Sequence, residues 1–111
     1  MTNAQVHSNT LLAAVTATGA GNWFYGPDRS SFSVTIDTSG ITSGGTLKME
    51  GLDSGNRTVL LEQITLNTAG AATIRKHYPG FLQAIRANLS ARTDGTYSVY
   101  VDAPLAPAGT R

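Results

Sequence analysis

The sequence predicts an all-β fold: a single antiparallel β-sandwich, jelly-roll or immunoglobulin-like, of about eight strands with an extended arm at each end. Three observations predict it. Apolar Phe32, Val34 and Ile36 alternate with polar Ser33, Thr35 and Asp37, the two-residue period of a half-buried strand. Glycine, proline, asparagine and aspartate clusters punctuate such runs at a spacing of roughly 8 to 12 residues. A chain of 111 residues and 11.6 kDa is one domain by size, able to bury roughly 65% of its unfolded surface in one core. Cysteine is absent, so that core is held by packing, with no disulfide framework and no thiolate metal site.

Residues 1–9 are polar and aperiodic and read as a flexible arm that includes Val6 and His7. The sandwich is expected over residues 10–103. Residues 10–18 are apolar on both parities, which predicts a strand covered on both sides and broken by Gly19, Gly21 and Asn22. Trp23-Phe24-Tyr25 follows. Neighbouring residues of a strand point to opposite faces, so at least one of the three rings turns outward. Gly26-Pro27-Asp28 closes this segment as a turn.

After the 32–37 strand, residues 45–66 read as a hairpin around the turn residues Ser54-Gly55-Asn56. In that register Gly51 faces Val59 and Met49 faces Leu61, but Leu47 faces polar Gln63. A bulge or break between Leu61 and Ile64 is therefore expected. Residues 71–76 form a short weak strand. Segment 81–90 is ambiguous, since Leu82, Ile85 and Leu89 have helical spacing while Ile85, Ala87, Leu89 and Ala91 alternate. A strand is favoured because residues 96–102 can pair with it through a Thr93-Asp94-Gly95 loop. That hairpin places Val99 against Leu89, Val101 against Ala87, and Arg86 against Asp102 as an ion pair. Residues 104–111, with Pro104, Leu105 and Pro107, are an extended tail unfit for a central strand.

Chemistry is harder to find. Charged residues make up 14% of the chain and the net charge is +1, which leaves no footprint for nucleic acid. No apolar run approaches the roughly 18 residues of a membrane span, and no export signal is expected. The histidines, His7 and His77, lie in the arm and beside a turn, neither on a rigid desolvated element. Glu50 and Glu62 lie on neighbouring strands but on the polar parity, where both are expected to face water. The aspartates are scattered at turns and strand ends without calcium-loop spacing, and no phosphate-binding glycine motif occurs. No catalytic residue, metal site or cofactor is expected. Trp23, Phe24, Tyr25 and Tyr78 remain, and such rings can plug one end of a sandwich, insert into a protein neighbour or stack on sugars.

Four segments carry a family resemblance: FSVTIDTSG, GTLKMEGLDSGNRTVLL, YPGFLQAIRANLS and DGTYSVYV. Through them residues 32–101 resemble the small β-sandwich virion proteins of tailed bacteriophages and prophages. The resemblance implies a capsid decoration, or cement, protein that is assembled in the bacterial cytoplasm and resides on the virion surface. Its implied partners are the major capsid protein or other virion proteins, and itself as a homo-oligomer. Interface roles are expected for Trp23, Phe24, Tyr25 and Tyr78, and for Val6, His7 and Leu105 of the arms. A neck or tail component and a carbohydrate-binding adhesion module are the alternatives.

Overall fold

Alternation and turn chemistry are realised as strands throughout. A computed structural model describes residues 6–26, 31–79 and 82–104. They form β1 (Val6–Val15), β2 (Gly19–Ala20), β3 (Phe24–Tyr25), β4 (Phe32–Ile41), β5 (Gly45–Leu52), β6 (Thr58–Leu66), β7 (Gly70–Tyr78), β8 (Ala84–Arg92) and β9 (Thr96–Pro104). The first sheet has the order β1-β9-β4-β7; the second has β2-β8-β5-β6, with β3 also paired to β8. Since β2 and β3 are two halves of one interrupted strand on β8, the expected eight positions are all filled. The links β1–β2, β4–β5, β6–β7 and β8–β9 each join strands at the same position in the two sheets, which is the winding of a jelly roll.

The alternating sets supply the core. Phe32, Val34 and Ile36 of β4 and Tyr97, Val99 and Val101 of β9 share it with Leu47 and Met49 of β5 and Ile85, Ala87 and Leu89 of β8, all fully buried. Segment 84–92 is a strand, as favoured, and β7 runs longer than the expected 71–76.

The β5–β6 hairpin has the expected tight loop, with the Asp53 N–H donating to the Arg57 carbonyl at 3.0 Å and Asn56 in a left-handed conformation. Gly51 faces Val59 as predicted. Glu50 then pairs with Leu60 and Met49 with Glu62, so Leu61 is the extra residue of a bulge. The bulge lies at the near limit of the interval the sequence marked, and it lets Leu47 meet Ile64.

The β8–β9 hairpin does not exist. These strands lie in different sheets, Arg86 is held by Glu50 at 2.7 Å, and Asp102 lies 3.6 Å from Arg75. The Asp94 carboxylate accepts the backbone N–H groups of Thr42, Ser43 and Gly44 at 2.9–3.2 Å, and Thr93 N–H donates to the Gly44 carbonyl. Tied in this way to the β4–β5 link, residues 93–95 cross between sheets instead of reversing within one. The apolar sets expected to sit side by side therefore occupy opposite sheets.

Two expectations for the ends also change. β1 begins at Val6, and backbone pairing of Val6 with Pro104 and His7 with Ala103 brings part of the expected arm and the first tail residue into the first sheet. Pro104 fits because the pairing of β4 with β9 ends at Asp102, so among the described residues it pairs only with β1, the edge position where proline is tolerated. Nor is β1 covered on both sides. Register shifts after Thr10 and Leu12 bury the consecutive Leu11 and Leu12 and leave Ala13 and Ala14 exposed.

Candidate interaction surface

β3 sorts the aromatic cluster by the strand period. Phe24 pairs with Ile85, is buried, and meets Phe32 edge-on with ring centroids 6.2 Å apart. Its assignment as an interface residue gives way to a core one, because both neighbours in sequence already take the outward positions. Tyr25 is 57% exposed. Trp23 is half-buried on the outer face of the second sheet, with the Arg86 guanidinium 4.4 Å above its ring.

That contact continues across the sheet. Arg86 on β8 donates through Nε to Glu50 Oε1 on β5, whose neighbour on β6 is Leu60, 57% exposed. Trp23, just before β3, thus forms one row with Arg86, Glu50 and Leu60 on β8, β5 and β6, aromatic, cation, anion and aliphatic in that order. Sequence reasoning missed Arg86 and Leu60 as surface partners. The adjacent Leu60 and Leu61 were the available signal, since a regular edge strand buries only one of two neighbours.

Tyr78 belongs to a different arrangement. It is buried, and its hydroxyl donates to Glu62 Oε1 at 2.9 Å while Lys76 Nζ donates to Oε2 at 3.1 Å. Tyr78 and Lys76 stand on β7 and Glu62 on β6, so this clasp joins the outer edges of the two sheets. Partial burial disfavours the Glu62 carboxylate, but the Tyr78 hydroxyl and Lys76 ammonium outweigh it and hold the carboxyl below its ordinary value. Burial, and then the carboxylate it serves, push the Tyr78 phenol up. The expectation that both glutamates face water is corrected here: the bulge at Leu61 turns Glu62 toward the sandwich edge, and Glu50, on the outer face, is held by Arg86 with its side chain only 14% exposed.

Glu50 and Glu62 therefore share no site. His77 is exposed, with Nδ1 2.9 Å from Ser33 Oγ. Among the described residues no group of three or more His, Cys, Asp or Glu side chains could hold a metal. Asp53 and Asp94 are turn-forming, as expected: Asp53 accepts from the backbone of Arg57 and Gly55 and from the Arg57 side chain. A groove of about 440 Å³ runs between β1 and β2 past Leu12, Val15 and Ala17, and no titratable side chain lines it. Val6 and His7 are placed by their backbone pairing, and Leu105 lies outside the described residues.

No protein-family model matches the chain, and no curated protein matches its sequence. Solved structures resemble it to different degrees. The SPBc2 prophage-derived protein YomS superposes with a TM-score of 0.67 at 14% identity, over 93% of this chain and 96% of that one. A chain of the Bacillus endospore appendages, a family of disulfide-linked pili, gives a TM-score of 0.46 at 13% identity over 95% and 93%. The Yersinia pseudotuberculosis-derived mitogen gives 0.41 at 12% identity over 94% and 88%. At these identities the likeness to YomS establishes one thing: this chain has, over nearly its whole length, the β-sandwich fold of a prophage-derived protein.

Proposed function

We propose that this chain is a phage-derived structural protein of the virion, working by protein contact and not by catalysis. Its place is the capsid surface, where it decorates the shell and stabilises neighbouring capsomers. The observation that carries the reading is the fold likeness to a prophage-derived protein over 93% of the chain, whose strand and turn segments resemble small virion sandwiches.

The geometry supports a mechanical role. Two sheets wound through each other make a stiff spacer, the outward Trp23 and Tyr25 are the kinds of side chain that anchor protein contacts, and the exposed Leu60 adds apolar area on the same face. Many copies, each bound weakly and held at high local concentration, stabilise a lattice together. A sugar platform is less well supported, because Phe24 is buried and Arg86 occupies one face of Trp23, leaving Tyr25 as the open ring of that cluster.

Quantitative mass spectrometry of density-purified particles tests the proposal. A ratio to the major shell protein near one to one, or one to a few, is expected. A handful of copies per particle moves the chain to neck or tail, and absence from particles overturns the virion reading.

A further inference from the structure

We infer that the outer face of the second sheet binds the same face of a second copy, through a two-fold axis parallel to the strands. The inference rests on the structural-protein reading and names the first neighbour of this surface.

The argument is the order of side chains across the face. A two-fold axis lying between two stacked sheets and along their strands leaves each row at its own height and reverses it. Reversing the row Trp23, Arg86, Glu50, Leu60 sets Trp23 over Leu60 of the other copy and Arg86 over Glu50. Each aromatic meets an aliphatic, and each cation an anion, twice per dimer. The next row reads Asn88 on β8, Lys48 on β5 and Gln63 on β6, and its reversal sets Lys48 over an asparagine amide, not over another lysine. No like charges are opposed in either row. An unrelated partner would have no reason to find this face already complementary to itself.

The ion pair at the centre matters for the same reason. Arg86 and Glu50 side chains are 26% and 14% exposed, so they are largely desolvated and fixed before any partner arrives. Stacking a second copy lets each charge keep its own partner and gain one across the interface. Sheets stack with their strands within about 30° of one another, which this axis satisfies. A four-stranded face about 19 Å wide and 25 Å long offers roughly 500 Å² of projected area per copy, the small end of specific interfaces, which suits reversible pairing.

Analytical ultracentrifugation of the purified chain, over concentrations up to about 1 mM, is the test. A dimer is expected. Leu60→Asp should raise its dissociation constant at least tenfold, since it places a carboxylate over Trp23 of the other copy, while Tyr100→Asp on the opposite sheet should leave it unchanged. Arg86→Glu should dissociate the dimer and the double variant Arg86→Glu/Glu50→Arg should restore it, with circular dichroism confirming the fold of each. If the single charge reversal unfolds the chain, the exposed Leu60 substitution carries the test alone. A monomer at about 1 mM, or a dimer indifferent to Leu60→Asp, overturns the inference. A monomer that still binds purified particles, and loses that binding on Leu60→Asp, also overturns it, assigning the face to an unlike virion protein and leaving the decoration reading intact. A Leu60-dependent dimer absent from particles supports the inference and overturns that reading instead.

Discussion

Asp94 ties together parts of the chain about 50 residues apart, and its energetics follow from what it accepts. Backbone N–H groups of Thr42, Ser43 and Gly44 hold its carboxyl below the ordinary value of 3.8, because those bonds favour the charged form. A depressed folded pKa contributes stability that is full above the unfolded value and is lost as pH falls through the folded one. Urea midpoints measured between about pH 2 and 7 should therefore fall in the acid limb, below about pH 4. Asp94→Asn should be less stable at neutral pH and show a shallower acid fall; an unchanged profile would show that the carboxylate contributes nothing to the link. Asp53, held low chiefly by the Arg57 backbone N–H, adds to the same limb with the same sign. Burial separates the aromatic neighbours just as sharply. Phe24→Ala should cost about 3–5 kcal/mol for the cavity left beside Phe32, and Tyr25→Ala less than about 0.5 kcal/mol, both read from urea unfolding of the isolated chain. Alternation required that one ring point out, but which parity faced the core depended on where β3 met β8.

Among the elements, the two sides of the sandwich are closed by different means. At the β1–β2 side Gly21 donates its N–H to the Ala87 carbonyl at 2.9 Å, and a Cβ there would collide with the Leu11 carbonyl. Gly21→Ala should destabilise by roughly 1–3 kcal/mol, because backbone, not a flexible side chain, has to move. A melting temperature equal to that of the parent would show that the edge yields freely. At the β6–β7 side the Glu62 clasp does the closing. Glu62→Gln keeps an acceptor for Tyr78 but removes the charge facing Lys76; with both side chains about a third exposed, the expected loss is below about 1 kcal/mol. The bulge that turns Glu62 inward was legible, since Leu61 and Ile64 sat on conflicting parities. Its consequence was not, because the partner strand β7 enters from the other sheet.

At the scale of the molecule, β8 and β9 are consecutive yet lie in different sheets, and β9 pairs with β1 and β4, distant in sequence. Few of the pairings are local, so refolding should occur on the order of milliseconds to seconds, in one transition seen alike by tryptophan fluorescence and circular dichroism. Microsecond refolding would contradict this topology. The residues by themselves determined the class of fold, most strand positions, the Ser54-Gly55-Asn56 loop and the Leu61 bulge, because period and turn chemistry act over a few neighbours. They also marked Trp23 and Tyr25, though they could not separate them from Phe24. Only the tertiary structure decided which strands share a sheet. Leu89 and Val99 suit a hairpin pair as well as two sides of one core, and the choice fell to long-range pairing: β9 pairs with β1 and β4, while Asp94 binds the β4–β5 link 50 residues away. The row from Trp23 to Leu60 arose in the same way, from four segments whose order across a sheet is set by long-range pairing and is written in none of them singly.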